Sequence, residues 1–267
     1  MTLQAKMQTK VRGWTAAGLV VAGLGVAGTA QAIALIDLGG GIIRDPSTNL
    51  EWLANANLAD SMAFGLPISA NETPGAGEIG SMGRMNWNTA QAWIAAMNTA
   101  NYLGHNDWRL PITVQPDSSC GEQYDPGSPH PVQGYGYNCT GSELGDLFYN
   151  KLGGNQSESV LTTTGDTAEE ITNLLLFGGS NSGDSVTDST IQSFEYWSGT
   201  EYAPNPAYAA WLFFTDVGAQ GVAGGSNYNY AWAVRPAPEP ASLLLVGAGL
   251  AGLGWSRRRA RRKELVA

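Results

Sequence analysis

The stretch at residues 106–111, with the sequence NDWRLP, constrains the fold more than any other part of the chain. It follows a segment with helical periodicity, and its tryptophan, arginine and proline favour a rigid, partly buried corner. Two further tryptophan-bearing stretches, at residues 196–200 and 230–235, have the composition of strands. We therefore expect both strands to pack near the corner, and the three stretches together to mark the folded domain.

The first 32 residues carry the three parts of a secretory signal. A segment with basic side chains comes first, an apolar run follows at residues 14–27, and a small-x-small site ends at Ala32. A second such site ends at Ala34, so cleavage after Ala32 or after Ala34 stays open. The alternative is an uncleaved membrane anchor, but the glycine-rich run is short for a membrane span. The pattern predicts a signal peptide at 1–32, used by the export machinery and removed by signal peptidase.

The C-terminal segment also has three parts. Pro238, Glu239 and Pro240 come first, an apolar run follows at residues 241–255, and a basic cluster comes last. As a helix, the apolar run would be about 22 Å long, which is short of the ~30 Å hydrocarbon core. The basic cluster favours the cytoplasmic side of the membrane, so the preceding domain is expected outside the inner membrane. The cluster consists of Arg257, Arg258, Arg259, Arg261, Arg262 and Lys263.

This tail, residues 237–267, resembles the PEP-CTERM sorting signal of Gram-negative bacteria, in which a tripeptide, a short helix and an arginine cluster occur in the same order. The resemblance implies that an exosortase recognises the chain while the helix holds it transiently in the inner membrane. It also implies that the helix is removed and that the protein reaches the outer cell surface or the exopolysaccharide matrix.

The charge of the segment between the two signals differs from that of the whole chain. The chain has a net charge of -9, yet residues 33–256 contain five basic and 22 acidic residues, a formal charge of -17. Phosphate binding needs clustered Lys and Arg, so this balance argues against nucleic acid and other anionic polymers as partners.

The chain has two cysteines, Cys120 and Cys139. An even number of cysteines in an exported chain favours a disulfide, and the alternative is two free thiols. A bond between them would close a loop of about 20 residues and add roughly 3 kcal/mol to the free energy of unfolding. Two cysteines without nearby histidines do not provide the ligands of a closed zinc site.

Two segments have the periodicity of amphipathic helices. Apolar residues from Trp87 to Met97 recur on one face, with Asn86 as the N-cap and Gly104 as the stop. A second helix is predicted from the capping-box spacing of Thr140 and Glu143. Its apolar face is expected to carry Leu144, Leu147, Phe148 and Leu152.

Short strand patterns separated by Gly, Pro and Asn fill much of the remaining chain. Strands are expected at residues 34–38 and 50–53, whereas the segments at 113–139 and 155–190 are expected to be irregular. The last third is expected to form a meander. Many short strands with two helices indicate a single α+β domain at residues 33–236. The meander strands are predicted at residues 191–200, 209–214, 219–223 and 230–235.

Six short motifs in this segment resemble the C-terminal domain of the Legionella collagen-like adhesin, a domain found in many bacterial surface proteins. The resemblance implies a C-type-lectin-like fold, similar to that of the formylglycine-generating enzymes, and a role in adhesion or glycan binding. The chain lacks the adhesin's collagen-like repeats and has no cysteine placed for copper chemistry. The most specific motif consists of Asp107, Trp108, Arg109, Leu110 and Pro111. The others lie at residues 48–52, 87–90, 142–144, 196–200 and 231–235.

Catalytic motifs lack their structural context in this chain. Two G-x-G-x-x-G matches, at residues 23–28 and 247–252, lie in the signal peptide and in the sorting helix rather than after a strand. His105 is interpreted as a structural hydrogen-bonding residue and His130 as a loop residue. We therefore predict that the protein is not an enzyme.

Two groups of charged residues have both a structural and a functional interpretation. Asp107 and Arg109 are interpreted as a structural ion pair, or as partners of the backbone, rather than as a functional pair. Five acidic residues offer the oxygen ligands that Ca²⁺ prefers, but their spacing matches no calcium loop. A solvated acidic surface is favoured, no cofactor or metal site is predicted, and calcium stays a weak alternative. The five are Asp166, Glu169, Glu170, Asp184 and Asp188.

Tyrosines beside Asn-rich turns of the meander give a hypothesis for the ligand. Tyrosine rings stack on sugars, and asparagine amides both donate and accept hydrogen bonds. The candidate ligand-binding residues are Tyr202, Asn205, Asn227, Tyr228 and Asn229. The favoured function is a surface- or matrix-associated binding module that contacts extracellular polysaccharide. The alternatives are a structural matrix protein without a discrete ligand, and a glycan-active enzyme with carboxylates about 5–10 Å apart.

Overall fold

The computed structural model of the chain describes residues 34–238. The predicted signal peptide at 1–32 lies outside the described residues, as do Glu239, Pro240, the apolar run and the basic cluster of the sorting signal. Within the described part of the chain, no helix combines the length and the hydropathy needed to cross a membrane.

The described residues form three helices and eleven strands, which confirms the α+β class. The helices are α1, Trp87–Thr99; α2, Glu143–Asn150; and α3, Ala168–Leu175. The strands are β1, Ile36–Asp37; β2, Ile42–Asp45; β3, Leu50–Leu53; β4, Glu122–Tyr124; β5, Gln133–Tyr137; β6, Ser180–Asn181; β7, Val186–Thr187; β8, Glu195–Glu201; β9, Ala209–Phe214; β10, Ala219–Gly224; and β11, Val234–Pro236.

The strands form three antiparallel sheets. The first has the order β1-β2-β3-β11, the second has the order β4-β5-β10-β9-β8, and β6 pairs with β7 alone. The predicted strands at 34–38 and 50–53 are therefore present, and Trp52 on β3 is buried as expected. Six tryptophans are at most 2% exposed, and all of them except Trp211, which packs against Tyr135 and Tyr202, belong to one hydrophobic core. They are Trp52, Trp93, Trp108, Trp197, Trp211 and Trp232.

The last strand of the predicted meander pairs elsewhere. Strand β11 pairs with β3, with Val234 opposite Trp52, and not with β10. Before β11 begins, Tyr230 forms a backbone bridge with Tyr196 on β8, which is an edge strand of the second sheet. The prediction of a four-stranded meander is therefore wrong at its final strand, because alternation identifies a strand but not its neighbour.

Helix α1 begins as predicted and ends earlier. The side chain of Asn86 accepts a hydrogen bond from the backbone N–H of Thr89, as an N-cap does. Most of the predicted apolar face is buried, but Trp87 is only half-buried. The helix ends at Thr99 and not near Gly104, because Asn101 adopts a left-handed backbone conformation with φ of 50°.

Helix α2 has the predicted apolar face but not the predicted cap. Leu144, Leu147, Phe148 and Leu152 are all buried. The capping box of Thr140 and Glu143 is wrong, because the N-cap is Ser142 and its side chain makes no capping bond. The carboxylate of Glu143 instead leaves the helix to bind an arginine of the corner.

The two segments expected to be irregular both contain regular structure. Strands β4 and β5 lie within 113–139, where they form a hairpin that joins the second sheet. Helix α3 lies within 155–190, and a capping box between Thr167 and Glu170 starts it. The prediction for both segments is wrong, because Pro and Gly mark the turns around these elements rather than excluding them.

The predicted disulfide between Cys120 and Cys139 is confirmed. It joins the start of the hairpin to the residues just before α2. The side-chain amide of Gln220 on β10 lies beside the sulfur of Cys120 and donates to the carbonyl oxygen of Gly134. The hairpin is thus fixed both covalently and to the second sheet.

Candidate functional site

The corner at 106–111 is fixed from inside by helix α1. The indole of Trp108 is 2% exposed and donates to the carbonyl oxygen of Tyr102. The side chain of Asn98 binds the backbone of Trp108 twice, accepting from its N–H and donating to its carbonyl oxygen. The ring of His105 packs edge-on against Trp108, with ring centroids 6.1 Å apart. Trp108 therefore anchors the corner to the core.

Asp107 and Arg109 do not pair with each other. Arg109 binds Glu143 with two parallel hydrogen bonds of 2.6 and 2.7 Å, whereas Asp107 accepts two bonds of 3.0 Å from Arg235. Arg235 also pairs with Glu51 at 2.8 Å, and both of these side chains are at most 6% exposed. The interpretation as a direct ion pair is wrong, but a structural role remains, because each charge is satisfied by another element of the fold.

Both predicted strands pack against the corner. The backbone N–H of Gly199 on β8 and the hydroxyl of Ser198 both donate to the carbonyl oxygen of Pro111. Arg109 forms a backbone bridge with Val234 of β11. The expectation that the three tryptophan-bearing stretches meet is therefore confirmed.

A cleft of about 460 Å³ opens at the N-terminus of α1, between the turn that precedes β9 and the turn that follows β10. We call it the Trp87 cleft. Its lining residues are Asn86, Trp87, Asn88, Glu201, Pro206, Ala207, Tyr208, Ala209, Gly225 and Ser226.

Backbone hydrogen bonds hold the indole of Trp87 and join the two turns of the Trp87 cleft. The indole N–H of Trp87 donates to the carbonyl oxygen of Ser198 at 2.8 Å, and its backbone N–H donates to Gly225 at 3.0 Å. Gly225 in turn donates to the carbonyl oxygen of Tyr208 at 2.7 Å. Tyr208 nevertheless leaves 73% of its surface exposed. The fold thus places a half-buried indole beside an exposed tyrosine ring.

Polar groups surround these rings. Asn88 and Glu201 are exposed side chains in the cleft, and Glu201 ends β8. Glu201 is the one carboxylate that lines this cleft among the described residues. An aromatic surface with amide and hydroxyl groups suits stacking and hydrogen bonding to a polar ring, whereas the paired carboxylates of a glycosidase are not brought together here.

A second cleft, of about 290 Å³, lies on the other side of the turn after β10 and shares Ser226 with the first. We call it the Glu195 cleft. Arg84 pairs there with Glu72 at 2.7 Å and lies 5.0 Å from the centroid of Phe194. Burial raises the pKa of Glu195, Asp216 raises it further, and Arg84 partly opposes both. The other lining residues are Thr73, Asn227, Tyr228 and Asn229.

The five candidate ligand-binding residues do not form one site. Tyr202 and Asn205 line neither cleft, and the hydroxyl of Tyr202 is bonded to that of Tyr135 at 3.0 Å. Asn227, Tyr228 and Asn229 line the Glu195 cleft.

Asn229 is a correction to that candidate list, because it is 1% exposed. With its amide nitrogen turned inward, it donates to Glu195 at 2.7 Å and to the carbonyl oxygen of Tyr228 at 2.9 Å. Its side chain is therefore committed to the protein.

Trp87 was not predicted as a site residue, and Tyr208, although one of the tyrosines beside the Asn- and Gly-rich turns, was not among the five ligand-binding candidates. Helical periodicity assigned Trp87 to the core, although it is the one tryptophan of residues 34–238 that is not fully buried. Tyr208 follows Asn205 and Pro206 in a turn, and that composition was the available signal of exposure.

The acidic residues considered for calcium are spread over several elements. Glu170 caps α3, and Asp166 lies beside it with one carboxylate oxygen buried and unpartnered. Among residues 34–238, the one cluster of three metal-ligating groups is Asp117 with Cys120 and Cys139. The two sulfurs of that cluster are bonded to each other, so they do not provide thiolate ligands.

Two family models match the chain. Residues 41–115 match the Lcl C-terminal domain, and residues 236–259 match the PEP-CTERM protein-sorting motif. Both resemblances expected from the sequence are confirmed, and the sorting motif indicates exosortase-dependent export to the cell surface in Gram-negative bacteria. No curated protein and no solved structure matches the chain. The first match includes Trp87 and the corner, whereas Tyr208 and Glu201 lie outside it.

Proposed function

We propose that this protein is a surface- or matrix-associated adhesion module that binds extracellular polysaccharide in the Trp87 cleft. The observation that carries the proposal is the pair of uncovered rings, Trp87 and Tyr208, in a cleft of about 460 Å³. In a molecule that buries its other described tryptophans, leaving these two rings open suits a ligand with an apolar face.

Sugars have such a face, since their C–H groups lie on one side of the ring and their hydroxyls project from its edge. Stacking on Trp87 or Tyr208 uses the C–H face, and Asn88, Glu201 and Ser226 are placed to bind hydroxyls. The indole of Trp87 is held by a bond to the backbone in the free protein, so this ring needs little ordering on binding.

Fold and processing also support this role. A C-type-lectin-like fold, as the adhesin resemblance implies, is part of the proposal and suits glycan recognition, although a fold alone does not establish a function. On the proposed export route, the protein also meets the export machinery and signal peptidase and stays transiently in the inner membrane. The formal charge of -17 over residues 33–256 favours neutral or amine-bearing glycans over sulfated ones.

Binding by the native extracellular protein tests this function. The protein is applied to an array of neutral, amine-bearing and sulfated glycans, and the affinity for the best glycan is measured by calorimetry. Replacing Tyr208 by Ala should weaken binding by about 1–2 kcal/mol, which is roughly 5- to 30-fold, because one aromatic anchor is lost.

The matched control is Tyr124→Ala. Tyr124 is also an exposed tyrosine, at 53%, but it lies on β4 and lines neither cleft. Its replacement should leave the affinity unchanged. Equal effects of the two substitutions, or no binding to any glycan, would show that the Trp87 cleft is not a polysaccharide site.

A further inference from the structure

The Glu195 cleft holds more carboxylates than its single arginine neutralises. Arg84 is occupied by Glu72 at 2.7 Å and lies over the ring of Phe194. Glu195, at the start of β8, has Asp216 as a further acidic neighbour, and burial together with Asp216 raises its pKa. The cleft is thus lined by two carboxylates and one guanidinium, and Asp216 adds a further negative charge beside Glu195.

The hydrogen bonds of Glu195 do not remove this excess. The amide of Asn229 donates one bond of 2.7 Å to it, but an amide carries no net charge. One carboxylate oxygen of Asp216 is buried and has no partner. A cation that entered the cleft would therefore gain from a field that the protein leaves uncompensated.

We propose that the Glu195 cleft binds the protonated amine of a 2-amino sugar, and that it acts with the Trp87 cleft as two subsites for one polysaccharide chain. This inference rests on the proposed function of the Trp87 cleft. The two clefts share Ser226 and lie on either side of one turn, so consecutive stretches of a polymer reach both.

The chemistry of the cleft favours an organic ammonium group over a metal ion. Carboxylates with aromatic rings beside them suit an ammonium group, because the rings attract the cation and contact the adjoining C–H groups. Phe194 is 36% exposed and Tyr228 is half-buried at this cleft. A metal ion needs several converging ligand atoms, and within residues 34–238 such a cluster of three occurs only at Asp117.

The test compares two ligands that differ only at the amine. Native extracellular protein is titrated with a β-1,4-linked glucosamine hexamer and with its fully N-acetylated counterpart at pH 6. The free amine should bind about tenfold more tightly. Glu195→Gln, which keeps the shape of the side chain, should remove this preference and leave the affinity for the acetylated hexamer within twofold.

Two controls separate this inference from the proposed function. Glu122→Gln removes an exposed carboxylate on β4, outside both clefts, and should keep the preference. Tyr208→Ala should weaken both hexamers alike. If the acetylated hexamer binds and loses affinity in Tyr208→Ala, but the amine gives no preference, the inference fails and the proposed function stands.

Other outcomes also overturn the inference. A preference that persists in Glu195→Gln would place the amine elsewhere on the acidic surface. Equal, Glu195-dependent binding of a hexalysine peptide would show a site for peptide amines rather than for an amino sugar. Absence of binding by either hexamer and by every glycan on the array would overturn both proposals together.

Discussion

The corner at 106–111 and the Trp87 cleft use the same kinds of residue in opposite ways. In the corner, Trp108 is buried and Arg109 binds Glu143 and the carbonyl oxygen of Leu110. In the cleft, Trp87 is held by a bond to the backbone but is only half-buried, and the ring of Tyr208 is exposed to solvent. The most specific motif of the sequence thus holds the molecule together, whereas the two aromatic residues of the proposed site differ: Trp87 belongs to a shorter motif, and Tyr208 lies outside all six.

One residue connects the two regions. The hydroxyl of Ser198 donates to Pro111 of the corner, and its carbonyl oxygen accepts the indole N–H of Trp87. The corner therefore helps to position the cleft although none of its residues lines it. We expect substitutions in the corner to lower stability, and substitutions in the cleft to lower affinity without unfolding the domain.

The largest expected effect concerns the buried charges of the corner. Arg235→Ala leaves Glu51 buried without its partner, so the free energy of unfolding in urea should fall by about 3–5 kcal/mol. The matched control is Arg84→Ala, whose partner Glu72 is 59% exposed, and which should cost about 1 kcal/mol or less. Similar losses of stability in the two variants would contradict the contrast between the buried charges bound to the corner and the more exposed ion pair of the Glu195 cleft.

The disulfide should affect the stability of the domain but not the affinity of the Trp87 cleft for its ligand. Replacing both Cys120 and Cys139 by Ser removes the constraint on the unfolded chain, so the free energy of unfolding should fall by roughly 3 kcal/mol. Both cysteines lie outside the two clefts. Calorimetry at a temperature where the variant is folded should give the wild-type affinity, and a lost affinity would mean that the hairpin shapes the site.

A smaller effect on stability is expected for Asp166, a carboxylate that lacks the ion-pair partners found in the corner. Burial, with Glu170 and Glu158 nearby, raises the pKa of Asp166 from 3.8 to about 6. Because the folded state binds this proton more tightly, the contribution of Asp166 to stability is fully present below about pH 4 and is lost as the pH rises through 6.

Asp166→Asn should therefore raise the melting temperature at pH 7 to 8 and change it little at pH 4. Melting curves of both proteins across this pH range give the measurement. A constant difference at all pH values would show that Asp166 does not titrate in the folded protein as described.

The sequence predicted the elements that periodicity and chemistry define locally. Asn86 caps α1, the apolar face of α2 is buried, and the two cysteines are bonded. The corner was also identified, with its two neighbouring strands. In each case the sequence pattern spans only a few residues, or it involves a residue type that has one main structural role, as cysteine has in exported proteins.

What the sequence did not reveal depends on contacts between distant segments. Strand β11 pairs with β3 across the length of the domain, and Arg109 finds Glu143 rather than the nearby Asp107. Trp87 shares the helical period of the core residues, but it lies at the first turn, where it packs against the edge of the core and bonds to β8 while staying only partly buried. Periodicity shows which face of a helix is apolar, but it does not show which residues of that face are covered by the rest of the protein.

The most direct test of the central claim is the response of the tryptophan indoles to a bound glycan. Residues 34–238 contain seven tryptophans, and Trp87 alone among them is not fully buried. In ¹H–¹⁵N spectra of the extracellular protein titrated with its best oligosaccharide, the indole resonance of Trp87 should shift most, and that of Trp108 should stay in place. Binding that shifts Trp108, or that leaves Trp87 unchanged, would contradict the assignment of the corner to structure and of the cleft to recognition.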